Sequence, residues 1–193
     1  MSDVDDGTLL ARARQGDEEA FSLLFARHER AIYRYAAYTC GRDGADDVVQ
    51  DTFLAVLRQR ERRDVPRSAL QVYLLGIARH VALKRLMVQE AYDESQLETL
   101  EGAVASQQLT VLDALTRREA IEFVRAAVQS LPLTYREVVA LCDLQELDYA
   151  TAADVLQVPI GTVRSRLHRG RALLATKLSE RRQPAAVQDR RDR

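Results

Sequence analysis

The chain has 193 residues, 47% hydrophobic and 30% charged, with a formal net charge of −1, which excludes a disordered polyelectrolyte and leaves enough apolar side chains for a core. Tryptophan is absent, there are only eight glycines and four prolines, and β-branched runs are short, so an all-α protein is expected. Cys40 and Cys142 lack the close Cys or His companions of a zinc site, no apolar run reaches membrane-spanning length, and the N-terminus lacks a signal peptide's basic start: the expectation is a cytoplasmic protein without membrane insertion.

Leu9, Leu10 and Ala13 predict a short helix ending near Gly16. Asp17 then caps a second helix, with Glu18 and Glu19 in the first turn where they complement its dipole. Phe21, Leu24, Phe25, Ile32 and Tyr35 recur at helical spacing to about Thr39, and aromatics in that pattern read as core. After a break at CGRDGADD, a third helix carries Val49, Phe53, Val56 and Leu57 on its inner side. Asp47, Gln50, Asp51 and Leu54 share a second stripe, which suits either solubility or the docking of a basic partner.

Arg58, Arg60, Arg62, Arg63 and Arg67 surround Asp64 and Pro66. A loop is expected here, because proline disfavours helix for the residue before it. Such arginines suit phosphate contacts or the stacking of single-stranded bases, or form a solvated charge run. The next helix places Leu70, Tyr73, Leu74, Ile77 and Val81 on its core side and leaves Arg79, His80 and Lys84 on other faces. From Leu86 to Thr116 there is no Lys or Arg, while Glu90, Asp93, Glu94, Glu98, Glu101 and Asp113 accumulate. Residues 89–116 are therefore expected to be an acidic flexible linker between two small helical domains, 1–88 and 117–180.

In the second domain Ile121, Val124, Val128 and Leu131 form one amphipathic side. Thr134 and Glu137 have capping-box spacing for a helix continued by Val138, Val139 and Leu141. Asp148 to Leu156 gives a short helix, Gln157–Val158–Pro159 a tight turn, and a final helix follows. That helix puts Val163, Leu167, Leu173, Leu174 and Leu178 inward. It carries Arg164, Arg166, His168, Arg169 and Arg171 with no acid until Glu180. Short helix, turn and basic helix make a helix-turn-helix, with Ala153 small enough for a close crossing, and the unbalanced charge wants a polyanion. The tail 181–193 is polar and expected to be disordered. His28, His80 and His168 are scattered, and neither a glycine-rich phosphate loop nor a nucleophile with a base at motif spacing occurs, so no enzyme is expected. A helix-turn-helix regulator with an N-terminal effector or dimerisation domain accounts for the last third of the chain equally well.

GDEEAFSLLFARH, GADDVVQDTFLAV and YLLGIARHVALKR resemble region 2, and LPLTYREVVAL, LDYATAADVL and VPIGTVRSRLHRGRALL resemble region 4, of the extracytoplasmic-function class of bacterial RNA polymerase sigma factors. The resemblance covers nearly the whole chain. It implies a two-domain promoter-recognition factor with no active site and no cofactor. Its partners would be core RNA polymerase, through the clamp helices and flap, promoter DNA, and an anti-sigma factor able to hold it at a membrane. On the matching motifs, Asp47, Gln50, Asp51 and Phe53 would dock on polymerase. Arg63, Asp64, Arg67, Ser68, Arg79, His80 and Lys84 would capture the melted −10 element. Thr162, Arg164, Ser165, His168 and Arg169 would read the −35 major groove and its phosphates. The linker would lie in the RNA-exit path. This chain has Tyr73–Leu74, His80 and Lys84 where the family often has Trp-Leu, Asn and Asp, and Thr151 where it has Glu, so the promoter sequence does not follow. A sigma-like adaptor that acts by sequestering an anti-sigma factor would use the same surfaces.

Overall fold

The computed structural model describes residues 4–58, 70–97 and 117–180. All elements within them are helices: α1 (Asp6–Arg14), α2 (Glu18–Thr39), α3 (Ala45–Arg58), α4 (Leu70–Leu97), α5 (Arg117–Gln129), α6 (Leu133–Cys142), α7 (Tyr149–Leu156) and α8 (Ile160–Glu180). Helices α1–α4 form one domain and α5–α8 the other. The arginine loop at 59–69, the acidic stretch from 98 to 116 and the tail from 181 lie outside the described residues.

Local chemistry sets the ends of the helices. Asp5 caps α1 by accepting from the Gly7 and Thr8 amides. Asp17 caps α2 by accepting from the Ala20 amide, and Asp148 caps α7 by accepting from those of Ala150 and Thr151. Gly16 and Gly41 stop α1 and α2 with φ near +90°, a backbone that glycine adopts without strain. Gln157, at φ 55°, takes the same left-handed region between α7 and α8, where it makes the turn of the helix-turn-helix.

In the first domain Leu9, Leu24, Ile32, Val48, Val56, Leu70, Leu74 and Leu75 are fully buried. Arg14 reaches from α1 to the Val56 carbonyl at 3.0 Å and satisfies one of the free carbonyls in the last turn of α3. In the second domain Val138, Val139, Leu141, Val155, Leu156, Val163 and Leu167 are buried where α6, α7 and α8 meet. Gly170 is the closest approach: a Cβ there would meet Val139 Cγ2 at 3.0 Å and Tyr135 Cβ at 3.4 Å. The two domains also pack on each other, α2 against α5 and α6, and α4 against α7, so one hydrophobic core runs through both.

Several sequence readings are corrected. Thr134 and Glu137 do not form a capping box. Pro132 is the N-cap with no side-chain cap, so Thr134 already lies inside α6, and Glu137 turns instead to Tyr35 and Arg79. Leu173 is 40% exposed, because beyond Leu167 the inner side of α8 passes through Gly170 to Leu174. Ile121 is likewise exposed on α5. Helix α4 continues to Leu97, into the stretch expected to be linker. Phe21 and Phe25 are only half-buried.

Candidate partner and nucleic-acid interfaces

Between α2 and α3 lies an open groove of about 340 Å³. Phe21, Phe25 and Phe53 form its aromatic cluster. The Phe25 and Phe53 rings are 4.9 Å apart, and Phe21 stands edge-on to Phe53 at 5.9 Å. Leu54 adds exposed apolar surface, while Glu29, Asp46 and Gln50 supply polar lining. The stripe expected on α3 divides around this groove. Gln50 and Phe53 face into it, whereas Asp47 and Asp51 lie against α4, bridged by Arg85 at 2.9 and 3.4 Å. Both pairs are well exposed and contribute little to stability.

Of the −10 residues expected from the sequence, Arg63, Asp64, Arg67 and Ser68 lie outside the described residues. His80 and Lys84 are exposed on α4. Arg79 is not free. Its Nε donates to Glu137 Oε1 of α6 at 2.7 Å, and the buried Tyr35 hydroxyl donates to the same oxygen at 3.0 Å. Burial, and then the Glu137 charge beside it, push the Tyr35 hydroxyl well above its ordinary pKa.

The residues expected from the sequence to read the −35 element all lie on α8. Arg164, Ser165, His168 and Arg169 are exposed, and Thr162 is half-buried in the first turn. Arg171 is different: Asp143, in the turn after α6, holds its guanidinium with two nitrogens, Nε at 3.1 Å and Nη2 at 2.5 Å. Its hydrogen bonds to that carboxylate raise the Arg171 pKa still further above its ordinary value. Among the described residues no acid pairs with Arg164, Arg166 or Arg169. The exposed face of α8 therefore keeps its positive charge, and a helix of this width fits a major groove. Thr151 takes part in the α7 cap, its hydroxyl donating to Asp148 at 2.7 Å.

The sequence matches the family model for Sigma-70 region 2 over residues 24–91 and that for Sigma-70, region 4 over residues 121–174, in the order the two domains are built. Over 184 residues it is 29% identical to the ECF RNA polymerase sigma-E factors of Salmonella typhimurium and of Escherichia coli K12, covering 91% of this chain and 95% of theirs. The chain belongs to the extracytoplasmic-function class of sigma factors. It directs transcription initiation. As a fold this sigma factor is similar to CnrH, solved in complex with the cytosolic domain of CnrY (TM-score 0.63, 25% identity, 91% of this chain and 97% of that one). It is also similar to the sigma factor RpoE of Bartonella quintana, solved with the anti-sigma factor NepR (TM-score 0.63, 23% identity, 82% and 96%). Among the described residues no helix is long and apolar enough to cross a membrane.

Three features of this sigma factor were not visible as function in its sequence. The Phe21–Phe25–Phe53 groove was hidden because apolar spacing marks a face without saying whether another element covers it. The Arg85 bridge and the Arg79–Glu137 contact join residues far apart in the chain, and no local pattern signals them.

Proposed function

We propose that this sigma factor binds core RNA polymerase through the α2–α3 groove, reads the −10 element with the arginine loop and α4, and reads the −35 element with α8. The observation that carries this reading is the α8 face: exposed Arg164, Ser165, His168 and Arg169 on the second helix of a helix-turn-helix, with no acid among the described residues pairing with its arginines. Arginine and serine at these positions suit guanine edges and phosphates, and Thr162 stands in the helix's first turn where the dipole favours a phosphate. The groove's aromatic floor and acidic lining suit a basic amphipathic partner. Asp47 and Asp51 add negative charge beside it on α3.

The protein acts as a binding factor in the cytoplasm, without chemistry of its own. CnrH and RpoE were each solved with a second protein, which supports a regulatory partner for this chain too: an anti-sigma factor binding the same surfaces. Binding to immobilised core polymerase and to a −35 duplex tests the assignment in parallel. Leu54→Lys puts a cation into the groove and should weaken polymerase binding at least about tenfold, leaving duplex binding intact. Arg169→Ala should do the reverse. If both variants bound both targets like the wild type, the division of labour proposed here would be wrong.

A further inference from the structure

The acidic stripe of α3 is partly neutralised from within the first domain, by one side chain. Asp47 and Asp51 stand one turn apart, both about half exposed, and Arg85 of α4 reaches across to both. Its Nη1 donates to Asp47 Oδ2 at 2.9 Å and its Nη2 to Asp51 Oδ2 at 3.4 Å. Among the described residues no other cation pairs with either carboxylate. Two carboxylates and one guanidinium leave a single net negative charge where the stripe alone would present two. That loss falls beside a groove whose own lining includes Glu29 and Asp46.

Stability accounts for little of this arrangement. Ion pairs as exposed as these are screened by water and contribute little. The guanidinium also lies close to Gly44, the residue just before α3: a Cβ there would stand 4.0 Å from Arg85 Nη1. This is the positive end of the α3 dipole, where an anion is favoured and a cation is not. Asp46 and Asp47, in the first turn, suit that end without help. Arg85 is therefore held there by the two aspartates against the preference of the helix. Its main consequence is the charge that α3 presents outward.

We propose that Arg85 limits how tightly this sigma factor holds core polymerase, by occupying one oxygen of each of the two carboxylates that a basic partner would pair with. The inference rests on the assignment of Asp47 and Asp51 to polymerase docking; the Arg85 contacts themselves do not. A cation on the partner meets a carboxylate already shared and a like charge beside it, so each ion pair across the interface gains less. Both effects are electrostatic and weaken as salt rises. Removing the guanidinium restores the second negative charge and leaves the aromatic cluster and Leu54 in place. Arg85 acts through the aspartates, as a residue that tunes affinity.

Equilibrium binding of full-chain variants to immobilised core polymerase, at low and at high salt, tests this. Arg85→Gln should bind about fivefold more tightly than the wild type at low salt, with the gain shrinking as salt rises. Arg85→Lys keeps the charge and should bind like the wild type. Loss of a merely structural contact would weaken binding instead. Asp47→Asn/Asp51→Asn should bind more weakly, and adding Arg85→Gln to it should bring no gain. Helical circular dichroism should be the same for all; if Arg85→Gln lost helix content, Arg85→Met, which keeps the apolar stem, decides in its place. If the aspartate double variant weakened binding while Arg85→Gln brought no gain, the role of Arg85 would fall and the docking assignment would stand. If the aspartate double variant bound like the wild type, that assignment would fall and the role of Arg85 with it. A gain that persisted in the triple variant would not pass through the aspartates and would overturn the proposal.

Discussion

Asp6 and His28 show how much a single buried contact settles and how little of it is local. His28 Nε2 lies 2.7 Å from Asp6 Oδ2, and Arg27 Nη1 is 2.7 Å from Oδ1, tying α1 onto α2 across about twenty residues of sequence. Burial alone would raise the Asp6 pKa, but the hydrogen bonds from Arg27 and His28 outweigh it and hold the carboxyl below its usual range. The folded chain therefore binds that proton more weakly than the unfolded one. The stabilisation is complete above the unfolded carboxylate's pKa, about 3.9, and is lost as pH falls through the lower folded value. Urea melts should show Asp6→Asn less stable than wild type at pH 7, with the gap closing as pH falls below 4; a gap independent of pH would contradict the pairing. On α8, Arg169→Ala should cost about 1–3 kcal/mol of −35 duplex affinity if a base edge is read. A uniform loss across sequences, with the salt slope reduced by about one, would place Arg169 on a phosphate instead. Basic residues on α8 were legible in the sequence because they sit side by side on one helix. The capture of Arg171 by Asp143 was not, since the acid comes from another element.

At the scale of elements, all four helices of the second domain were readable, because apolar spacing at helical period marks them. The N-cap aspartates Asp17 and Asp148 sit at the position that a side-chain acceptor favours. The Thr134–Glu137 spacing misled for a physical reason: Pro132 has no amide hydrogen to satisfy and starts α6 ahead of the threonine, so both polar side chains fall within the helix. Gly170 marks where α8 crosses α6. Gly170→Ala gains helix propensity of about 1 kcal/mol but presses a methyl within 3.0 Å of Val139 Cγ2 and 3.4 Å of the Tyr135 carbonyl. Overpacking costs about 1–3 kcal/mol, so a net loss of about 1 kcal/mol in a urea melt is expected. A stabilised variant would mean the crossing is looser than it stands. Gln157→Gly relieves a left-handed residue in the turn and should stabilise the chain by roughly 0.5–1 kcal/mol; a loss would show that the Gln157 side chain, which donates to the Asp154 carbonyl, matters more than the backbone.

At the scale of the molecule, two domains were legible from the acidic stretch between two amphipathic regions, but their mutual packing was not. Tyr35, Leu131 and Val138 each declare a buried face, and nothing in a helical period says which helix covers it. Glu137 is the clearest case, a residue read as a cap that binds the other domain. On the proposed reading this sigma factor would carry two DNA-reading surfaces on one chain, whose joint affinity depends on their spacing when both engage. Polymerase bound at the α2–α3 groove would set that spacing. Run-off transcription with start-site mapping tests this most directly. Core polymerase with the purified full chain should initiate at defined positions preceded by paired −35 and −10 elements, and Leu54→Lys should suppress those starts. A chain that bound promoter fragments yet gave no start beyond core polymerase alone would contradict the account and leave a helix-turn-helix regulator in its place.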